Sequence, residues 1–239
     1  MSGHSKWSSI KHKKAATDAK KGKLFSKISR MLSIAVRERG PNPDTNPALR
    51  LAMEKAKEAN MPSENVQRLV KKYSVVGERL EEVQFEGYGP GGVALIIDAI
   101  TDSRNRTSQE IRHIFSLHGG SLAAPGSVRW MFERYGEVVV DPSGKSREEL
   151  ELAAIEAGAE DIRDESGKLT VVTKPEDLWR VRKSLEEKGM AVQKADFDYR
   201  TAHTVTLADP ALKAQAERLF EALDESDDVQ DIYSNAEFK

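Results

Sequence analysis

Histidine and carboxylate side chains are the residues of this chain whose types could support catalysis. The chain has five histidines without the spacing of a metal site: His4, His12, His113, His118 and His203. The third and fourth are separated by five positions and would not share a helical face. The sequence also contains no nucleophile elbow, P-loop or kinase motif set. We therefore expect a protein that has no enzymatic activity and binds no metal or cofactor.

Basic residues are concentrated near the N-terminus. Residues 1–72 contain 17 Lys or Arg and 6 Asp or Glu, whereas residues 73–239 contain 20 and 33. Lys and Arg that neutralise phosphates release counterions, which gives an affinity independent of base sequence. The segregation of charge therefore predicts a nucleic-acid partner for one end, with an ordinary solvated surface as the alternative. The predicted nucleic-acid-binding residues of this end are Lys6, Trp7, Lys11, His12, Lys13, Lys14, Lys20, Lys21, Lys23, Lys27 and Arg30.

Trp7 lies among these charges and has no periodic apolar neighbours. Its indole could stack on a nucleobase, as aromatic residues do in single-strand binders. It could equally pack the N-terminal arm onto the helical domain that follows. Residues 2–22 show little apolar periodicity, so we expect this arm to be ordered mainly by what it binds.

Amphipathic patterns predict three helices between residues 23 and 75. Apolar residues between positions 24 and 36 follow helical spacing, and the opposite face carries Lys23, Lys27, Arg30 and Arg37. Asn46-Pro47 and Pro62-Ser63 are typical starts for the second and third helices. Residues 1–75 are thus predicted to form a basic arm plus a small helical domain.

The pattern changes to alternating strands and helices after Gly77. Strands are predicted at 83–88, 93–100 and 127–132, and a helix with a Thr107/Glu110 capping box is predicted to end at Gly119. Residues 137–199 then have the βαββαβ order of a ferredoxin-like domain, and Ser146 with Glu149 is predicted to cap its first helix. A strand, a helix and a last strand follow.

A complete βαββαβ unit between two incomplete pieces suggests an insertion. The predicted fold class is multidomain α+β, in which an N-terminal three-helix domain precedes two α/β domains. One α/β domain is discontinuous and comprises residues 76–133 and 201–239. The other, residues 134–200, is ferredoxin-like and inserted into it.

A glycine-rich loop joins the first two predicted strands and consists of Gly87, Tyr88, Gly89, Pro90, Gly91 and Gly92. Its letters match a dinucleotide-binding fingerprint, but that motif requires a helix after the loop, whereas a strand follows here. A hairpin loop is therefore the favoured interpretation. A loop without bulky side chains would also let its backbone approach a partner closely.

Arg104 and Arg106 lie between a strand end and a helix start. They could hold a phosphate beside the helix N-terminal amides, or they could pair with acidic residues of their own domain. A cluster of acidic residues near the C-terminus is predicted to form a solvated face: Glu221, Asp224, Glu225, Asp227, Asp228 and Asp231.

The composition excludes several classes of protein. The chain has no cysteine, so it contains no disulfide and no thiolate metal site. The longest apolar run, residues 93–97, is too short to span a bilayer, and the N-terminus lacks the apolar core of a signal peptide. We expect a cytoplasmic protein that does not associate with membranes.

Four motifs, in order along the chain, resemble the YebC-type family: GHSKWSSIKHKKAATDAKKGK, NMPSENVQRLVKK, EGYGPGGVALIIDAITDSRNRTSQEIR and GGSLAAPGSVRWMFE. Ser103 stands where that family often has Asn. The resemblance implies a helical first domain and two α/β domains. For function it implies DNA-binding regulation of transcription, as in bacterial members, or action on the ribosome, as in the mitochondrial translational activators of cytochrome c oxidase.

Together these observations predict a non-enzymatic regulator of gene expression that binds DNA or ribosomal RNA, or the ribosome itself. The basic arm would grip the phosphate backbone, and the α/β body would position the glycine-rich loop with Arg104 and Arg106. The alternative is a protein-interaction or effector-sensing module without direct nucleic-acid contact. Phosphate contacts serve DNA and RNA alike, so the motifs do not choose between them.

Overall fold

The computed structural model describes residue 7 and residues 18–75, 79–142, 144–165 and 167–238. The described residues form two compact units. One comprises those up to Met131 together with those from Thr201 onwards, and the other is Phe132–Arg200. The first unit contains a helical domain and an α/β domain, and the second is ferredoxin-like, which confirms the predicted fold class.

The helical domain consists of three helices: α1 (Asp18–Arg39), α2 (Pro47–Glu58) and α3 (Ser63–Val75). Its core joins apolar residues of all three helices, including the fully buried Leu32 and Leu49. The predicted cap at Asn46 is confirmed, because its side chain accepts a hydrogen bond from the Leu49 amide at 3.0 Å. The same buried side chain donates to the carbonyl of Ala35 at 2.7 Å, so it also fixes α2 to α1.

Helix α1 starts earlier than predicted. The periodicity placed its start at Lys23, whereas the helix begins at Asp18. Apolar periodicity reports packing, and Lys21 and Gly22 are exposed, so this first turn leaves no apolar pattern. Leu24, which was expected on the packed face, is 44% exposed.

The α/β domain of the first unit is built on a four-stranded antiparallel sheet of order β3-β1-β2-β9. A short parallel pair, β8 with β10, stands beside it. Two helices complete the domain, and its core includes Leu95, Phe115 and Phe220. The elements are β1 (Glu81–Tyr88), β2 (Ala94–Thr101), α4 (Arg104–Leu117), β3 (Ser121–Ala123), β8 (Val205–Leu207), α7 (Pro210–Asp224), β9 (Val229–Ser234) and β10 (Ala236–Phe238).

Two local predictions in this domain are wrong. Residues 127–132 were expected to form a strand, but Arg129–Met131 is a 3₁₀ turn. Thr107 was expected to cap a helix, but α4 begins at Arg104, and Thr107 lies inside it, fully buried. The Thr107 hydroxyl instead joins a polar cluster with Thr101.

The second unit has the sheet order β5-β6-β4-β7 with two helices, which is the strand arrangement of a ferredoxin-like domain. Its elements are β4 (Phe132–Asp141), α5 (Arg147–Ala157), β5 (Asp161–Glu165), β6 (Lys168–Thr173), α6 (Leu178–Glu187) and β7 (Ala191–Thr201). The predicted capping box of α5 is confirmed, since Ser146 and Glu149 each bond the other's backbone amide. Within the described ranges, no helix combines the length and apolar character needed to cross a bilayer.

Candidate nucleic-acid interface

Trp7 is a core residue of the α/β domain. Its side chain is 6% exposed and makes an edge contact with Phe220, with ring centroids 5.0 Å apart. A buried indole has no face open to a nucleobase, and its neighbours belong to the α/β domain and not to the helical domain. Lys6, Lys11, His12, Lys13 and Lys14 lie outside the described residues. Lys20 and Lys21 are in the first turns of α1.

The basic face of α1 packs against the α/β domain. Lys27 is only 8% exposed, and its ammonium group donates to the backbone carbonyl of Asp224 at 2.8 Å and to the carboxylate at 3.0 Å. Lys23 donates to the carbonyl of Glu225 at 2.9 Å. These lysines were predicted to bind phosphate from a solvent-facing side of the helix. In the structure they donate hydrogen bonds to two backbone carbonyls and one carboxylate of the same chain.

Asp228 is the centre of this contact between the two domains. Its side chain is 4% exposed and lies 2.6 Å from the guanidinium of Arg30 on α1 and 2.9 Å from that of Arg106 on α4. The hydroxyl oxygens of Thr107 and Thr101 lie 2.5 and 3.1 Å from its Oδ2 atom. Burial raises the pKa of Asp228, but hydrogen bonds from Thr107 and Arg106 and the two arginine charges outweigh that and hold the pKa below its usual value.

The acidic C-terminal cluster is therefore only partly a solvated face. Asp228 is buried, and Asp231 lies 3.5 Å from Lys55 of α2. Arg106 also pairs with Asp102 at 2.7 Å, so this arginine pairs with acidic residues of its own domain, the second of the two roles predicted for it.

Arg104 has a different environment from Arg106. It is exposed, as is Arg112, and neither arginine forms an ion pair with a described residue. Arg104, Ser108 and Arg112 are spaced four residues apart and so share one face of α4. Together with residues 84–86 of β1 and residues 122–125, they line a groove of about 350 Å³. The groove thus carries the charges of two arginines and of the Glu86 carboxylate beside the first turn of a helix.

A buried carboxylate organises the loop that borders this groove. Glu86 of β1 accepts hydrogen bonds from the amides of Gly126, Val128 and Arg129 at 2.6, 2.7 and 2.9 Å. Burial raises the pKa of Glu86, but the three amides and the charge of Arg129 outweigh this and lower it below its ordinary value. Three charge-assisted bonds to one short segment fix the course of the loop.

The same loop presents Trp130, which the sequence analysis did not select. This indole is 68% exposed, and its N–H donates to the carbonyl of Ser127 at 3.0 Å. The ring of His203 lies 6.1 Å away in an edge contact. The sequence holds no signal that excludes the predicted strand, because a turn at Pro125-Gly126 is equally compatible with a strand that begins after it.

The glycine-rich loop approaches its own domain. A Cβ atom on Gly87 would lie 2.5 Å from the Phe115 ring, and one on Gly91, whose φ is +72°, would lie 2.8 Å from Leu207. Gly89 and Pro90 are buried. The hairpin interpretation is confirmed by the antiparallel pairing of β1 and β2. The backbone of the loop was expected to approach a partner closely, but at Gly87 and Gly91 it approaches core side chains of its own domain.

A larger groove of about 640 Å³ lies between α1, α3 and residues 79–80. Two of its arginines, Arg68 and Arg79, have no anionic partner among the described residues, whereas Arg30 is paired with Asp228, and Asp102 with Arg106. The smaller groove on α4 has two arginines without an anionic partner among the described residues. We take the α4 groove as the candidate interface because its two arginines share one face of a single helix, and Arg104 lies in the first turn, where the helix dipole favours an anion. Among the described residues, no group of histidines and carboxylates is placed to hold a metal ion.

Family models cover almost the whole chain. Residues 5–75 match the TACO1/YebC protein N-terminal domain, and residues 80–236 match the TACO1/YebC second and third domain. The chain belongs to the TACO1/YebC family.

Relatives of similar length support this assignment. Proteins of Halothermothrix orenii and Rubrobacter xylanophilus are each 48% identical to this chain. The two alignments span 98% of this chain and 94% and 95% of the relatives, respectively. Both are named "Probable transcriptional regulatory protein". A conserved hypothetical protein from Aquifex aeolicus, whose crystal structure is known, is 46% identical in sequence to this chain. The two structures superpose with a TM-score of 0.83 over 98% of this chain and 97% of the other.

Proposed function

We propose that this protein is a non-enzymatic regulator of gene expression that binds nucleic acid in the cytoplasm. The observation that carries the proposal is the α4 groove, where Arg104 and Arg112 face open space without an anionic partner among the described residues. Two guanidinium groups on one helix face can each contact a phosphate, and Arg104 lies in the first turn, where the helix dipole also favours an anion. The regulatory names of the relatives support the same class of function.

The basic arm adds charge to this surface in the proposal. Residues 3–22 contain six lysines and one acidic residue. Because phosphate contacts carry no sequence information, the protein would bind DNA or ribosomal RNA by backbone charge, and its effect on transcription or translation would depend on which one it meets. Association with the ribosome, and the translational activation found in mitochondrial relatives, follow from the RNA alternative.

The test compares charge-matched double variants in a binding titration over a range of salt concentrations. Arg104→Ala with Arg112→Ala removes the two groove cations. Lys145→Ala with Lys168→Ala removes two exposed cations of the ferredoxin-like unit, neither of which pairs with a described residue. Labelled single-stranded RNA and duplex DNA serve as probes.

The groove variant should bind more weakly and reduce the slope of log K against log salt by about 1.4 for single strands and about 1.8 for duplex DNA. The control should change neither property by a comparable amount. Equal binding by the two variants would remove the groove from the interface. A wild-type protein that binds neither probe at low salt, but retains a protein partner, would favour the interaction-module alternative.

A further inference from the structure

Trp130 is exposed to an extent that packing does not explain. Its side chain is 68% exposed, whereas Trp7 is 6% exposed in the core of the same unit. A single exposed apolar residue is common on protein surfaces, so exposure alone indicates no function. What distinguishes Trp130 is how firmly its surroundings hold it.

Three contacts restrict the indole and the backbone that carries it. The indole N–H donates to the Ser127 carbonyl at 3.0 Å, and the hydroxyl of Tyr88 donates to the same oxygen at 3.2 Å. The His203 ring lies against the indole at 6.1 Å. The preceding loop is fixed by Glu86 through three backbone amides. A ring already ordered by the fold loses little conformational entropy when a ligand stacks on it.

The position of Trp130 relative to the α4 groove indicates the ligand. Glu86 and residues 122–125 line the groove, and the Glu86 carboxylate accepts a hydrogen bond at 2.9 Å from the amide of Arg129, the residue that precedes Trp130. Proteins that bind single strands combine exposed aromatic side chains, on which bases stack, with a groove whose basic residues contact the phosphates. Bases in a duplex are paired and stacked on each other, so their faces are not available to an indole within the helix.

We propose that Trp130 stacks on an unpaired nucleobase of a single-stranded segment whose phosphates lie along the Arg104–Arg112 face. This inference rests on the proposed function and specifies its ligand as unpaired nucleic acid. His203 and Ser127 are positioning residues, because their contacts are with the indole.

Affinity measurements on single and paired probes test the proposal. Trp130→Ala should weaken binding to a labelled single-stranded RNA by about 5- to 140-fold, the range that corresponds to ~1–3 kcal/mol for one stacked base. Binding to a blunt duplex of the same sequence should change little. Trp130→Phe keeps an aromatic face and should recover most of the single-strand affinity. Leu117→Ala is the matched control, because Leu117 is 66% exposed on the same unit.

Iodide quenching of the wild-type protein gives a second readout. Trp130 provides the most exposed indole described, so its emission should be quenched by iodide and protected when single-stranded RNA is bound. Duplex should protect it much less.

The outcomes separate this inference from the proposed function. If wild-type protein binds RNA and Trp130→Ala binds it equally well, the stacking site is refuted and the regulator proposal stands. Equal losses on single-stranded and duplex probes would also refute stacking, since a general charge or folding effect would explain them. If wild-type protein binds neither probe, both proposals fail.

Discussion

Replacement of Asp228 by asparagine would test whether the Asp228 cluster holds the helical and α/β domains together. The substitution keeps the side-chain volume and removes the charge that Arg30 and Arg106 share. Loss of one partner from a buried ion pair costs about 3–5 kcal/mol. Here the side chains of Arg30 and Arg106 are 24% and 52% exposed, so water can partly solvate them. We therefore expect the free energy of unfolding to fall by about 2–3 kcal/mol.

Urea unfolding followed by tryptophan fluorescence measures this loss. Trp7 packs against Phe220 in the core of the unit that contains Asp228, so its emission reports on that unit. Asp227→Asn is the control, because it makes the same substitution at the adjacent, exposed position. The control should change the free energy of unfolding by less than about 0.5 kcal/mol.

The pH dependence provides an independent check. The pKa of Asp228 is lower in the folded protein than its ordinary value, so the unfolded chain binds its proton more readily. The stabilisation is therefore fully present above the ordinary aspartate pKa of about 3.9 and is lost as the pH falls through the lower, folded value. The stability difference between wild type and Asp228→Asn should be constant from neutral pH to about pH 5 and shrink below about pH 4. A difference from the Asp227→Asn control of under about 0.5 kcal/mol at neutral pH would refute the clamp.

Two further substitutions test the supports of the candidate interface. Glu86→Gln removes the charge that holds the amides of residues 126, 128 and 129. We expect about 1–3 kcal/mol of destabilisation in urea unfolding and increased hydrogen exchange at those three amides. Unchanged exchange would contradict the role of Glu86. Gly87→Ala would place a methyl group 2.5 Å from the Phe115 ring and should lower the unfolding midpoint. Gly22→Ala is the control in helix α1, because a Cβ at Gly22 would meet no neighbouring atom within 4 Å, and it should raise the midpoint slightly. Equal midpoints for the two alanine variants would show that β1 can move away from Phe115.

The basic N-terminal end and the acidic segment near the C-terminus meet in the folded protein. Cations of α1 face acidic residues at and after the end of α7: Lys27 pairs with Asp224, and Arg30 pairs with Asp228. Part of the segregation seen in the sequence is therefore complementarity within the molecule. Arg104 and Arg112 have no such partner in the described part of the chain, which leaves them for an external polyanion in our proposal.

Local features were predictable because their partners are close in sequence. The caps at Asn46 and Ser146 depend on an amide three residues away, and both were identified correctly. The apolar faces that form the core of the helical domain likewise follow from short-range periodicity. The β1–β2 hairpin follows from its glycine-rich turn. The four motifs were also sufficient to identify the family.

The roles of charged and aromatic residues were decided by tertiary contacts. Arg30 and Asp228 are almost 200 positions apart, Trp7 packs on Phe220, and Thr107 joins the Asp228 cluster instead of capping its helix. The sequence by itself determined the fold class, the family and the presence of a basic N-terminal end. Only the tertiary structure decided which cations are neutralised within the chain and which aromatic ring is exposed, because burial and ion pairing depend on residues that meet after folding.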